Sequence, residues 1–454
     1  MSNPRDTPDP LALPDYVPQG QVALSDDERW PGLSAAGRAR RERVLRHPLA
    51  PPWLHAAGHR LDAAAQARAA ADAAAPVPPD WLAAHLARAA RLPFYRDHVG
   101  PLVRLEDFPL ISRDDLAADI AAFVPYGADL SEVLHGTSSG STGAALVMPD
   151  DPDELARGFH WMVGLVRGLG VDWRPDAARG LALAHVVLQR QAFTYVSVLP
   201  AFGEAAMARV NLAEADTGFL AELDPQVISG SPTSLERLLE PDYARALHPL
   251  ALFSGAMALS LPLRRELEAV FGCPVIDVYG LHETRPVAVS VDGGPHVIAD
   301  RRVHVEVLDA AGRAVPPGEV GEVVVTAGEN RFLPLVRYRT GDTARLVELG
   351  GRPALAELEG RANTIFTAAD GHAVPCVDLT QQLQAAGARG WAVSQAADGT
   401  VSAVIAGGDE ARVTDALAAL LGTPIAVRRV RSIAELGEGK PRRFSTAAGS
   451  IRHG

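Results

Sequence analysis

Between Leu134 and Thr326 the chain alternates short apolar runs with amphipathic stretches. "ARGLALAHVV", "PQVISGSP", "HPLALFSGAM" and "CPVIDVYGL" each read as a short buried strand running into a Gly or Ser turn. Strands alternating with helical segments predict an α/β fold with a parallel sheet. Open sheets of that kind bind ligands where their strands end. The turns Ser229-Gly230-Ser231, Ser254-Gly255-Ala256 and Tyr279-Gly280-Leu281 are therefore the candidate ligand positions. After Asp300 the period shifts to two. "RVHVEVLDAAGRAVPPGEVGEVVVTAG" reads as an antiparallel hairpin turning at Ala311-Gly312-Arg313, and "LVRYRTGDTARLVEL" continues the β character with Gly341-Asp342 as a turn.

The flanks differ from this centre. The first fifty residues are rich in Pro and charge and read as an irregular arm, with Trp30 and Trp53 as points that dock on the body. "LDAAAQARAAADAAA" reads as helix. "PPDWLAAHLARAARLPFY" reads as a second helix, with Asp80 as N-cap and Pro93 as the stop. The tail carries strands near Trp391 to Ile405 and Thr423 to Val430 and a helix over "DEARVTDALAALLG". The expected organisation is an arm with packed helices over 1–79, a large α/β domain with a β-rich part over 80–360, and a small α+β domain over 361–454.

Composition narrows the class. With 454 residues and 47% hydrophobic content the chain can bury large cores. No apolar run reaches the length of a membrane span, and "MSNPRDTPDPLALPDYVPQG" is not signal-like, so a soluble cytoplasmic protein without membrane partners is expected. The net charge of −12 argues against nucleic acid and favours a small-molecule partner. Cys273 and Cys376 are too few for a disulfide framework and read as core residues, and no C-x-x-C or H-E-x-x-H spacing marks a metal site.

"HGTSSGSTGAALVMP" sets Gly136, Gly140 and Gly143 among hydroxyl side chains. Gly136-Thr137-Ser138-Ser139-Gly140 fits G-x-S-x-G, the elbow that presents a serine nucleophile. The same stretch also suits an anion-binding loop, in which glycines let successive N–H groups point inward. A nucleotide P-loop is excluded because no lysine follows Gly143. A plain solvated turn has the same composition.

Taken in order, "TSSGSTG", "SGAM", "DVYGLHET", "RYRTGD", "EGRANTIF" and "GKPRRF" resemble the core motifs of the adenylate-forming superfamily of acyl-CoA synthetases and adenylation domains. "RLPFYRDHV", "LEDFPLISRDDL" and "DVYGLHE" look most like its phenylacetate–CoA ligase branch. The resemblance spans roughly residues 80–450. It implies ATP-dependent activation of a carboxylate, aromatic by the weight of the family, to an acyl-adenylate, followed by transfer to CoA. It also implies a small C-terminal domain that rotates between the two half-reactions.

On that resemblance Ser138, Ser139, Gly140, Ser141, Thr142 and Gly143 hold the β- and γ-phosphates. Glu283 is the Mg²⁺ ligand, Tyr279 and Gly280 face the adenine, and Ser254, Gly255 and Ala256 form the opposite wall. Asp342 takes the ribose, Arg361 the sugar or phosphate, and Lys440 the α-phosphate. Asp277 and Asp300 are further nucleotide-side candidates. The acyl pocket falls to His185, Phe193, Tyr195, Ser229, Gly230, Met257, Leu281 and His282. The chain departs from its relatives in Ala144-Ala145, where Lys-Pro is frequent, in His282, where small hydroxyl residues are common, and in Asn363, near a usual acidic residue at the hinge.

Other readings stay open at this level. The acyl group could pass to a carrier-protein thiol or an amine, nitrite could replace the acid as in diazotising relatives, and a serine hydrolase remains a remote alternative. Pro149 follows Gly143 too closely for the unbroken helix that an elbow needs. The chain is expected as a monomer or homodimer.

Overall fold

A computed structural model describes residues 25–447, apart from 97, 100–102, 126–127, 129–132, 139–145, 175–178, 191, 193, 361–363 and 438–440. The expected irregular arm contains two helices, Asp26–Arg29 and Ala35–Leu45. Ser25 and Glu28 close a capping box at the first, and Ser34 caps the second. The second helix buries only Gly37 and Val44, so it shows no apolar stripe for a periodicity reading to find. Trp30 is fully buried and donates its Nε1–H to Ser197 Oγ at 3.0 Å, while Trp53 donates to the Leu45 carbonyl and meets Phe219 edge-on.

The helix at Trp81–Ala89 forms, but Asp80 makes no side-chain capping bond. Pro93 opens a further short helix, Pro93–Arg96, instead of ending the first one. Proline fits there because the first helical N–H has no partner to lose. Strands β1 (Leu134–Ser138) and β2 (Leu146–Asp150) then pair antiparallel, with Ser138 opposite Leu146. The next described residues, Leu146–Asp150, are a strand, where a nucleophile elbow requires a helix. Ser139, Gly140, Ser141, Thr142 and Gly143 lie outside the described residues.

The main sheet begins with β3 (Leu183–Val187), β4 (Tyr195–Leu199), β5 (Ala205–Asn211), β6 (Val227–Gly230), β7 (Ala251–Gly255) and β8 (Val275–Leu281). It continues through β9 (Arg285–Ser290), β10 (His296–Ile298), β11 (Val303–Leu308), β12 (Val320–Ala327), β13 (Leu335–Leu349) and β14 (Arg352–Glu359). The twelve strands run in the order β11-β12-β13-β14-β10-β9-β8-β7-β6-β3-β5-β4. Strands β5, β3, β6, β7 and β8 are mutually parallel, and antiparallel strands extend both ends.

Parallel strands covered on both faces need apolar residues at successive positions. One face packs Ala184, Val186, Ala208, Val210, Ile228 and Leu252 against helical residues such as Phe219, Leu235 and Leu267. The other packs Leu183, Met207, Val227 and Ala251 against Val163 and Val166 of helix Pro152–Gly168. Those double-sided runs are what made the central strands legible.

Gly341-Asp342 is not a turn. Both residues sit inside the 15-residue β13, at a register shift where Val324 pairs with Arg339 and Glu322 with Thr343. Gly341 takes φ +75°, which a side chain would resist, and the bulge changes the direction in which the strand presents Asp342.

The C-terminal residues form a separate sheet and core. A hairpin of β15 (Ile365–Thr367) and β16 (Ala373–Pro375) precedes β17 (Ala388–Gln395), β18 (Val401–Gly407), β19 (Ile425–Val430) and β20 (Phe444–Thr446). The last four are ordered β19-β18-β17-β20, and helices Cys376–Ala385 and Glu410–Leu421 bury Leu379, Leu383, Val413 and Leu417 against Trp391 and Phe366. This unit rests on the large sheet's helices through apolar packing of Ala406, Val430 and Ile433 and through polar contacts. Ser260 Oγ donates to the Arg389 carbonyl at 2.7 Å, and Glu236 accepts the Ile433 N–H at 2.6 Å and pairs with Arg389 at 3.2 Å. Both cysteines are buried and free. Among the described residues no helix is long and apolar enough to cross a membrane.

Candidate active site

The C-terminal ends of β3, β6, β7 and β8 open into one cleft, closed at the sides by residues 54–61, by β13 and β14, and by residues 441–446. Its volume of about 3460 Å³ is several times that of a single drug-sized site. The cleft therefore has room for more than one ligand.

At one end, Tyr279 on β8 donates its hydroxyl to Asp342 Oδ2 at 2.9 Å. Burial, then the Asp342 charge, push the phenol well above its usual range, so it stays a neutral donor. The pair sets an aromatic face beside a carboxylate, an acceptor group. Ser254 is almost fully buried, and its Oγ has no hydrogen-bond partner among the described residues. Beside it Ala256 holds φ +65°, a conformation that costs a non-glycine residue about 1–2 kcal/mol. Asp277 lies opposite Ser254 in register, and its carboxylate is bonded to His296 Nε2 at 3.1 Å, which gives it a supporting contact. Asp300 is exposed and does not line the cleft.

The middle of the cleft is a set of ion pairs. Glu283 is buried, and Arg113 donates to its Oε1 at 3.0 Å. Tyr338 stands beside them, its phenol raised by burial and then by the Glu283 charge. His282 Nε2 meets Asp150 Oδ1 at 3.2 Å, and Arg285 bridges Asp150 and Glu154. Glu154 is buried, which pushes its carboxyl up to about 7 despite Arg285. The β1–β2 hairpin lies directly on this set: a Cβ on Gly136 would fall 2.3 Å from both Asp150 and His282. Any side chain there would have to displace Asp150 and His282. Among the described residues no three His, Cys, Asp or Glu side chains cluster to hold a metal. Arg361 and Lys440 lie outside the described residues. Gly437 and Pro441, on either side of 438–440, line the cleft.

At the far end His185 Nδ1 and Ser229 Oγ are 2.8 Å apart. Burial, then neighbouring Arg209, lower the imidazole to about 4. Tyr195 lies opposite Arg209 in register, and His55 from the arm packs edge-on to it. Gly230 is buried with no space for a side chain, since a Cβ would meet Ser234 Oγ at 2.6 Å. Met257 takes a contact from Thr233 Oγ1, and Leu281 packs partly on a core cluster. Phe193 lies outside the described residues.

The structure thus gathers Tyr279, Asp342, Ser254, Glu283, His282, His185, Tyr195 and Ser229 around one cleft. Arg113, Tyr338 and Arg209 also line it and were not among the sequence candidates. Arg209 had a readable signal, as the one charged residue in the apolar run "AAMARV".

Comparisons with known proteins bear on the fold and on the family. The AMP-binding enzyme family model matches residues 182–330, which carry β3 to β8 and the turns just described. The phenylacetate–coenzyme A ligase of Pseudomonas putida is 27% identical over 312 residues, covering 61% of this chain and 67% of that enzyme. The phenylacetate–coenzyme A ligase of Thermus thermophilus is 28% identical over 278 residues, covering 56% and 61%. The chain thus spans two thirds or less of the length of these relatives. A solved 2-hydroxyisobutyryl-CoA ligase in a postadenylation state superposes with a TM-score of 0.58 at 18% identity, covering 84% of this chain and 89% of that one, a likeness of fold. Residues 182–330 thus match the AMP-binding enzyme family, and the chain is similar to phenylacetate–coenzyme A ligases of the adenylate-forming superfamily.

Proposed function

We propose that the protein activates a carboxylic acid, aromatic as the branch suggests, by joining it to AMP, and then passes the acyl group to the thiol of CoA. A carboxylate oxygen attacks the α-phosphorus of ATP, the bond to the bridging oxygen breaks, and pyrophosphate leaves. The thiol sulfur then attacks the acyl carbon, AMP leaves, and the thiol proton is lost to solvent. The observation that carries this reading is the Tyr279–Asp342 pair at the cleft end, a flat face and a carboxylate side by side, suited to a purine and its ribose.

The remaining assignments follow the motifs. Ser138 to Gly143 would surround the outer phosphates, with Ser254, Gly255 and Ala256 along the adenine. Glu283 suits Mg²⁺, because that ion needs only one or two carboxylates when phosphate oxygens and water complete its shell. Bound there, the ion would offset charge on the transferring phosphate. Arg113 fixes the Glu283 carboxylate, and Arg361 and Lys440 would supply the cations that Ala144-Ala145 do not. Residues 361–454 would act as a lid that brings Lys440 to the α-phosphate and then turns away for thioester formation. The test is pyrophosphate release over aryl and short-chain acids, with and without CoA. Release that depends on the acid, with a CoA thioester as product, is expected. ATP binding with no release for any acid would overturn the reading.

A further inference from the structure

On the sheet face covered by helix Pro152–Gly168, the row Leu183, Met207, Val227 and Ala251 is apolar. One pleat further along the same strands the row becomes Tyr195, Arg209, His185 and Ser229. Along β5 the alternation gives Ala205 and Met207 to one core and Ala206, Ala208 and Val210 to the other. Arg209 and Asn211 belong to neither core, and Asn211 is bonded to the Gln189 backbone. Arg209 lines the cleft, its Nε is shut off from solvent without a hydrogen-bond partner, and no carboxylate among the described residues pairs with it.

An arginine stays protonated, and Arg209 is part-buried with its Nε shut off from solvent, so the cation is incompletely hydrated and a bound anion would balance it. His185 adds no cation of its own, since burial, then Arg209, hold its imidazole at about 4. The reacting carboxylate is poorly placed to be the partner. It must meet the α-phosphate near the turns after β7 and β8, and β6 and β3 lie between β7 and β5. Three strand spacings amount to about 14 Å.

We propose that the acid activated here carries a second carboxylate, at the end remote from the reacting one, which pairs with Arg209. His185, Ser229 and Tyr195 serve as neutral hydrogen-bonding neighbours of that carboxylate. The assignment deepens the adenylation reading and rests on it for the position of the reacting end.

Matched acids test it: benzoate against terephthalate, and hexanoate against adipate, scored by pyrophosphate release. The wild type is expected to favour a diacid over its monoacid at least tenfold in kcat/KM. Arg209→Met should erase that preference, and Arg209→Lys should keep part of it. Thermal unfolding without substrate gives an independent readout, because removing an unpaired cation should leave Arg209→Met as stable as the wild type or more so. A variant that unfolds earlier with its acid preference unchanged marks a structural arginine and overturns the proposal. A raised KM for CoA with unchanged acid preference assigns the cation to CoA phosphates and also overturns it. A wild type that prefers monoacids overturns it while adenylation stands. Release from no acid removes the adenylation reading instead. Calorimetric binding of the same diacids then decides, tighter binding by the wild type than by Arg209→Met supporting the proposal and equal binding overturning it.

Discussion

The two ends of the cleft are built on opposite principles. At the β8–β13 end and in the middle, the candidate charges have protein partners: Asp342 accepts from Tyr279, Glu283 from Arg113, and Asp150 from Arg285. At the β3–β5 end Arg209 has no such partner among the described residues, and its register neighbours His185 and Tyr195 are neutral. A preorganised set of pairs keeps its geometry whether or not a ligand is present, which is how enzymes hold dipoles ready for developing charge. A lone cation waits for its ligand to balance it. The first arrangement suits a constant cosubstrate, and the second suits the variable one that sets specificity.

The largest expected effect comes from breaking the paired end. Asp342→Ala should reduce pyrophosphate exchange at least a hundredfold, since hydrogen bonds to a charged group are worth about 1.5–3 kcal/mol each and two ribose hydroxyls would lose theirs. The unpaired end should show itself next in the pH dependence of stability. Burial lowers His185 from 6.5 to about 4, so between those values the unfolded chain binds the extra proton. Its contribution is therefore complete above about 6.5 and lost as pH falls through about 4, up to about 3 kcal/mol. His185→Gln should flatten the denaturant-unfolding profile across that window.

Arg113→Met should cost about 2 kcal/mol in chemical denaturation, because it strands the buried Glu283, with part of the loss screened by the exposed side of the arginine. It should also raise the Mg²⁺ concentration needed for half-maximal rate. Tyr279→Phe is the mildest change. The aromatic face survives and one hydrogen bond is lost, so the KM for ATP should rise up to about tenfold with kcat nearly unchanged.

Much of this was legible in the chain, and the exceptions have physical causes. The parallel strands announced themselves because burial on both faces demands continuous apolar runs, as in "ALFSG" and "PVIDVYGL". The arm helix Ala35–Leu45 did not, because its surface is charged on nearly every side. Gly341-Asp342 carries turn residues yet serves as a bulge, since glycine's freedom suits either use and only the pairing partners decide. Motif order singled out Tyr279, Asp342 and Glu283, which line the cleft and lie in short local signatures. It missed Arg209 because its significance lies in register. Residues 185, 195, 209 and 229 become neighbours only through the β4-β5-β3-β6 order, and sequence spacing does not encode that order.

The most direct measurement is the fate of ATP when the full chain is incubated with Mg²⁺ and a panel of mono- and dicarboxylic acids, with nucleotides and phosphates separated by ³¹P NMR. Acid-dependent formation of AMP and pyrophosphate in equal amounts, suppressed in Asp342→Ala, is the predicted result. Formation of ADP and inorganic phosphate, or turnover indifferent to the acid, would contradict adenylate formation in this cleft.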